Sequence, residues 1–299
     1  MLRARSGGHA GAGLAAVVVA TIGFSTGFPI VKGVELPAAA IGAWRLGLGV
    51  LVLGVAALLL RAPLPKRPGP IVAAGLAFAV HQLIFIEATK LTSIAIVTLV
   101  AAMQPLLVGL VSRRALNEPV PKALAGWALL AVTGVAIVAA GTWGDESRSL
   151  LGDFLAVLNL GAFTAYFLAA KRARNHGAPT LTFTVGFLGV AFVALLPVAL
   201  LGDALVPTRA LDASLLVVLA VLPGNGHLLL TWAHSRVSAA MSSLVLAGIP
   251  VLAALWGRLF FDEPFGAAHV VGILAVVVAI EGGRRVERRS AAGIPAQSP

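Results

Sequence analysis

Residues 93–119 read SIAIVTLVAAMQPLLVGLVSRRALNEP, and residues 238–264 read SAAMSSLVLAGIPVLAALWGRLFFDEP. Laid on one another at an offset of 145 positions, they put Ser93 on Ser238, Pro105 on Pro250, Arg113 on Arg258, Glu118 on Glu263 and Pro119 on Pro264 without a gap. Coincidences of Ala, Leu and Val are common in such a sequence, so the prolines and polar residues carry the match. The ungapped alignment runs from His81 to Gly126 in the first copy and from Gly226 to Val271 in the second. Farther upstream the offset becomes about 138, pairing Thr21-Ile22-Gly23 with Asn159-Leu160-Gly161, and the change falls in loops, where length changes are tolerated. The chain is built as two copies of one unit.

Each copy is too apolar to face water. Hydrophobic residues make up 59% of the chain and charged residues 11%, with a mean hydropathy of +0.97, where soluble domains carry roughly 25% charged residues. A helix of about 20 mostly apolar residues crosses the hydrocarbon layer with every backbone group satisfied internally. Ten segments meet that requirement, the first from Gly13 to Val31 and the last from Gly266 to Glu281. The expected fold is an all-α polytopic membrane protein with ten transmembrane helices in two repeats. Residues 1–12 are expected to form an N-terminal tail, 13–141 the first five-helix repeat, 151–283 the second, and 284–299 a C-terminal tail. An odd number of helices per unit makes the second copy enter the membrane from the opposite side, so the halves are inverted. Inverted repeats are a recurrent transporter plan, because exchanging the conformations of the halves turns an inward-open cavity outward.

The formal net charge of +10 does not point to nucleic acid, because the charges sit in alternate loops. One side gathers Arg61, Lys66 and Arg67, then Arg113, Arg114 and Lys122, then Lys171, Arg172 and Arg174, and finally Arg284 and Arg285; the other receives isolated Lys32, Lys90, Arg148, Arg209 and Arg258. This asymmetry places both termini in the cytoplasm of a bacterial inner membrane, with the basic loops against anionic lipid headgroups. Cysteine is absent, which excludes thiol chemistry.

Ala88-Thr89-Lys90-Leu91-Thr92-Ser93, Gln104-Pro105-Leu106 and Leu116-Asn117-Glu118-Pro119 resemble the third-to-fifth-helix signature of the EamA-type branch of the drug/metabolite transporter superfamily. Ala233-His234-Ser235-Arg236-Val237-Ser238, Ile249-Pro250-Val251 and Phe261-Asp262-Glu263-Pro264 resemble its second copy, and Ala43-Trp44-Arg45-Leu46 is similar to its second helix. The resemblance implies ten helices in two inverted halves, with a central cavity lined mainly by the first, third, fourth, sixth, eighth and ninth. It also implies export of amino acids, their relatives or other metabolites.

Polar groups at membrane depth face the bundle interior, where they glue helices together or line a solute path. A path on the pseudo-twofold axis uses equivalent positions of both halves, and Gln82 aligns with His227, Thr98 with Ser243, and Thr21 with Asn159. Pro223-Gly224-Asn225-Gly226 is expected to interrupt the eighth helix. Gln82, Thr98, Asn159, Asn225, His227 and Ser243 are thus the candidate solute contacts. His81, Glu87 and His227 are the candidates for proton coupling, although Glu87 also stands three residues before Lys90, the spacing of an interfacial ion pair. Arg45 is placed to snorkel toward the headgroups or to bind an anionic group. Glu118 and Glu263 precede prolines and favour the N-termini of the next helices. Trp44, Trp143 and Trp256 suit the interfacial belt, and Gly23 with Gly27 a close helix crossing.

Gly23-Phe24-Ser25-Thr26-Gly27 also has the spacing of a nucleophile elbow, which needs a strand and a strained turn that a membrane helix does not supply. No metalloprotease motif, P-loop or dinucleotide fingerprint occurs. The sequence therefore points to a secondary transporter of a small organic metabolite, with no cofactor or metal and no catalytic residues; its partners are the solute and membrane lipid, and homo-oligomerisation is left open. The alternatives are an intramembrane hydrolase using Ser25, or a membrane scaffold or sensor that transports nothing.

Overall fold

In the computed structural model, which describes residues 2–141, 149–261 and 265–291, every regular element is an α-helix. In the first half, α1 (Leu2–Ser25) and α2 (Gly27–Gly33) make the first span, α3 (Ala38–Leu59) the second, α4 (Gly69–Leu91) the third, α5 (Ile94–Ala101) with α6 (Gln104–Leu116) the fourth, and α7 (Lys122–Gly141) the fifth. In the second half, α8 (Leu150–Asn175), α9 (Thr180–Leu200) and α10 (Ala210–Ala233) are followed by α11 (Ala239–Leu246) with α12 (Ile249–Phe261), and by α13 (Ala267–Ala291). They form ten spans long and apolar enough to cross a membrane, the expected number. Trp143, Arg148 and the Asp262-Glu263-Pro264 stretch lie outside the described residues.

The helices overrun the apolar segments. α1 begins at Leu2 and α13 reaches Ala291, so the segments expected as tails are helical where they are described. At the far end Arg284 and Arg285 reach back one turn to Glu281, at 2.6 and 2.7 Å, and such i,i+3 and i,i+4 pairs support a helix in water.

Three spans are broken, each in the same way. α1 stops at Ser25, α5 at Ala101 and α11 at Leu246, four residues before Pro29, Pro105 and Pro250 respectively. A proline has no N–H to return to the carbonyl four residues back, and its ring crowds that carbonyl. Tighter bonds take over: Met103 N–H reaches Val100 O at 3.1 Å, and Gly248 N–H reaches Val245 O at 2.9 Å. The two copies also start alike, since Ser93 Oγ accepts from Ile96 N–H and Ser238 Oγ from Met241 N–H, at 3.2 and 3.1 Å. The repeat seen in sequence is thus a repeat of caps and breaks.

The break expected at Pro223-Gly224-Asn225-Gly226 does not form, and α10 runs through it from Ala210 to Ala233. Pro223 removes one ladder bond, to Leu219, and the glycines serve packing instead. A Cβ on Gly226 would stand 2.7 Å from the Phe24 ring, and one on Gly23 would stand 2.9 Å from the Leu222 carbonyl. α1 and α10 therefore cross at close range, as the Gly23/Gly27 spacing implies.

The halves interlock. α4 packs along α8 and, equivalently, α1 along α10; α3 packs on α9, and α7 on α13. Exchanging the halves maps this set of contacts onto itself, which is the signature of a pseudo-twofold axis between inverted repeats. Faces turned away from the bundle are apolar, as with Leu51, Val52, Val55 and Leu58 on α3. Those faces suit lipid.

Candidate functional site

Phe78, His81, Gln82 and Phe85 recur on α4 at the 3,4-spacing that makes one helical stripe, and Asn159, Phe163 and Tyr166 do the same on α8. Because these helices pack lengthwise, the stripes zip together at mid-span. His81 Nδ1–H donates to Asn159 Oδ1 at 2.7 Å, and its ring lies 4.7 Å from Phe163. Phe78 stands 4.6 Å from both Tyr166 and the ring of His227, which enters from α10. His227 also meets Phe24 of α1, at 4.6 Å.

Arg45 completes the cluster from α3. It is only 5% exposed, and its Nη2 lies 3.3 Å from His227 Nε2. The guanidinium has only donors, so Nε2 must accept; His227 is then the neutral tautomer with its proton on Nδ1, donated to Tyr166 Oη at 3.2 Å. The snorkelling expected of Arg45 does not occur. At the level of Arg45, α3 is covered by α9 and α10, and the side chain turns to His227 of α10.

Gln82 shares the α4 stripe, is 0% exposed, and has no partner for either amide atom. Other candidates are quieter. Thr98 donates to Ile94 O at 2.8 Å, Ser243 to Ala240 O at 2.9 Å, and Thr21 to Val17 O at 2.8 Å. Bonding back into their own helices satisfies their protons inside the membrane. Thr98 and Ser243 nevertheless sit at equivalent places, each accepting through its backbone carbonyl in the turn that closes α5 or α11. Asn225 is half-buried on α10, beside His227 in sequence. Glu87 lies about 9 Å along α4 from His81, taking 1.5 Å per residue, and is half-buried near the helix end. The Glu87–Lys90 ion pair does not form, because Lys90 Nζ donates instead to Val34 O at 2.8 Å, tying the third span to the first.

A second polar assembly closes the bundle end that carries both termini. Lys171, 3% exposed on α8, donates to the carbonyls of His234 and Val237, the latter at 2.7 Å, and pairs with Glu118 at 3.1 Å. Glu118 also accepts from Asn175 Nδ2 at 3.0 Å and from Ala239 N–H at 2.9 Å. Its carboxylate therefore sits at the N-terminus of α11, in the other half, and not on the next helix of its own half. The αL conformation of Asn117 (φ 55°) turns the chain there. At the opposite end, Arg209 pairs with Glu35, Asp212 Oδ1 accepts Glu35 N–H at 3.2 Å, and Thr92 donates to Asp153 at 2.6 Å.

Two participants escape a reading of the sequence. Tyr166 is the only tyrosine of the chain, a signal that could have found it. Lys171 reads as one more basic loop residue, and nothing in its spacing marks it as buried. Ser25, the offered nucleophile, donates to Ile22 O at 2.7 Å and accepts from Trp256 Nε1–H at 2.8 Å; it ties the first span to the ninth. Trp256 is thereby turned to a neighbouring helix, and Trp44 likewise donates to Leu205 O at 2.8 Å.

Comparison with known proteins agrees with this architecture. Residues 150–281 match the EamA-like transporter family. The chain is 29% identical over 273 residues to the pseudopaline exporter CntI of Pseudomonas aeruginosa, covering 89% of this chain and 94% of that one. It is 29% identical over 182 residues to the uncharacterized transporter YetK of Bacillus subtilis, covering 58% of this chain and 54% of that one. A crystal structure at 19% sequence identity superposes with a TM-score of 0.77, covering 95% of this chain and 98% of that one, and shares the fold. The second half of the chain thus matches the EamA-like transporter family, and the chain as a whole is similar to a named exporter. Its ten apolar spans make it a multi-pass membrane protein, and the proteins it resembles are transporters.

Proposed function

We propose that the protein exports a small organic metabolite, an amino acid or a relative of one, across a bacterial inner membrane, by rocking its inverted halves about the central cluster. Both termini are assigned to the cytoplasm, from the basic loops that share their side. Gln82, Thr98, Asn159, Asn225, His227 and Ser243 are assigned to the solute path. The observation that carries the reading is Gln82: a fully buried amide with a free donor and acceptor on α4, the helix that packs along α8 of the other half. A buried amide left unsatisfied is costly and has value only if something else bonds it. The direction is supported by the exporter CntI at 29% identity.

Proteoliposomes loaded with labelled amino acids, amines and nucleosides, with and without a pH gradient, test this. A Gln82→Ala, His227→Ala double variant is expected to lose about tenfold or more of the flux, since two polar contacts to a solute are each worth about 1 kcal/mol. Full flux from the variant would remove the site assignment.

His81 and His227 are the coupling groups of this reading, with Glu87 the alternative nearer the surface. A His81→Gln variant is expected to keep solute exchange at equal pH on both sides while losing acceleration by a pH gradient. Retention of that acceleration would exclude His81 and leave His227 or Glu87.

A further inference from the structure

We propose that the exported solute carries a carboxylate, and that Arg45 is its counter-ion inside the membrane; this rests on the transport reading above. Arginine stays protonated at every accessible pH, so the charge on Arg45 is permanent. Burying such a charge is tolerated when an anion balances it. Among the described residues no carboxylate pairs with Arg45. Lys171, Arg209, Arg284 and Arg285 all find acidic partners, and none of those pairs involves a residue of the central cluster. In the centre, the guanidinium meets only the neutral acceptor His227 Nε2.

The surroundings are arranged for an anion. With Nε2 accepting from Arg45 and Nδ1–H donated to Tyr166, His227 is neutral in this arrangement and adds no second cation. Its bond to Arg45, at 3.3 Å, uses one of the guanidinium donors and leaves the fork that carboxylates engage in bidentate fashion. Gln82 lies one turn of α4 from Phe78, whose ring touches His227, and brings an amide with both atoms unpartnered. Its N–H can meet a carboxylate oxygen, and its carbonyl a neighbouring ammonium on the same solute. Lipid phosphate is kept away, because Arg45 is only 5% exposed and its guanidinium reaches into the bundle to His227. A solute that is only cationic would be repelled by Arg45. The site therefore distinguishes an amino acid from the amine left when its carboxylate is removed.

Two measurements on the full chain test this. In detergent without added solute, Arg45→Gln keeps an N–H for His227 while deleting the unbalanced charge, so the thermal midpoint is expected to hold or rise; a fall of several degrees would show a purely structural arginine and overturn the proposal. In proteoliposomes, labelled histidine and histamine, tyrosine and tyramine, and ornithine and putrescine are compared as matched pairs. The acid of at least one pair is expected to leave at least tenfold faster than its amine, and Arg45→Gln to erase that ratio. Amines leaving as fast as acids, or an unchanged ratio in Arg45→Gln, would overturn the carboxylate assignment while leaving transport intact. Absence of any flux from the wild type counts against the transport reading alone, and the stability measurement still decides the role of Arg45.

Discussion

Glu118→Gln is expected to unseal the end of the bundle that carries both termini. The substitution keeps an oxygen for Ala239 N–H and removes only the charge, so Lys171, 3% exposed, is left as a buried ammonium without its counter-ion. Breaking one side of a buried pair costs about 3–5 kcal/mol, and the partial exposure of Glu118 argues for the lower end. That cost falls on the closed arrangement, in which Glu118 of the first half caps α11 and holds Lys171 of the second. In the open arrangement of the proposed transport cycle, Lys171 would reach water. The readout is simple because the chain has no cysteine of its own. A single Ser242→Cys, at a fully buried site on α11, is expected to react with a water-soluble thiol reagent on the order of 10²-fold faster when Glu118 is Gln. Equal rates would mean that this assembly is fixed scaffolding and that the solute path opens elsewhere.

Gly134→Ala and Gly272→Ala are expected to cost about 1–3 kcal/mol each, the range for overpacking a tight interior, and to lower the thermal midpoint of the purified protein accordingly. These glycines lie where the fifth and tenth spans, equivalent helices of the two halves, cross backbone to backbone. A Cβ on Gly134 would stand 2.7 Å from the Gly272 carbonyl, and one on Gly272 would meet the Gly134 carbonyl and Val138. A carbonyl cannot give way as a side-chain tip can, so α7 and α13 must separate. Gly126→Ala, on the same α7 with nothing within 4 Å of its Cβ, is the control. It is expected to be neutral or to stabilise by up to ~1 kcal/mol through helix propensity. Equal effects at Gly126 and Gly134 would refute the close-crossing argument.

Sequence and structure divide along the range of the forces involved. Ser93 and Ser238 are legible as a repeated pair, because a helix cap is a local device: side chain and backbone N–H lie three residues apart. The broken spans are half legible. Pro105 and Pro250 stand out as equivalent, yet the motif that most resembles a break surrounds Pro223, where the chain stays helical. One missing ladder bond is a small perturbation, and its outcome depends on neighbours that the sequence does not place beside it.

Arg45 shows the same limit for the site. Its residue type allows snorkelling or anion binding, and only the packing of α3 on α9 and α10 turns it inward to His227. His81 and Asn159 are each recognisable as polar groups at membrane depth, but their bond joins residues of opposite halves. Glu118 looks placed to serve the next helix of its own half, and in fact serves α11, far along the chain.

The amino-acid sequence alone determined the solvent, the number of spans, their duplication and their inversion, because hydropathy and charge asymmetry act residue by residue against a fixed slab of lipid. Tertiary structure alone decided which polar groups meet, which stay unpartnered and which charge is left unbalanced. Those outcomes depend on the azimuth at which each helix is packed, and in an apolar medium that azimuth is set by close contact between neighbours, of which hydropathy carries little record.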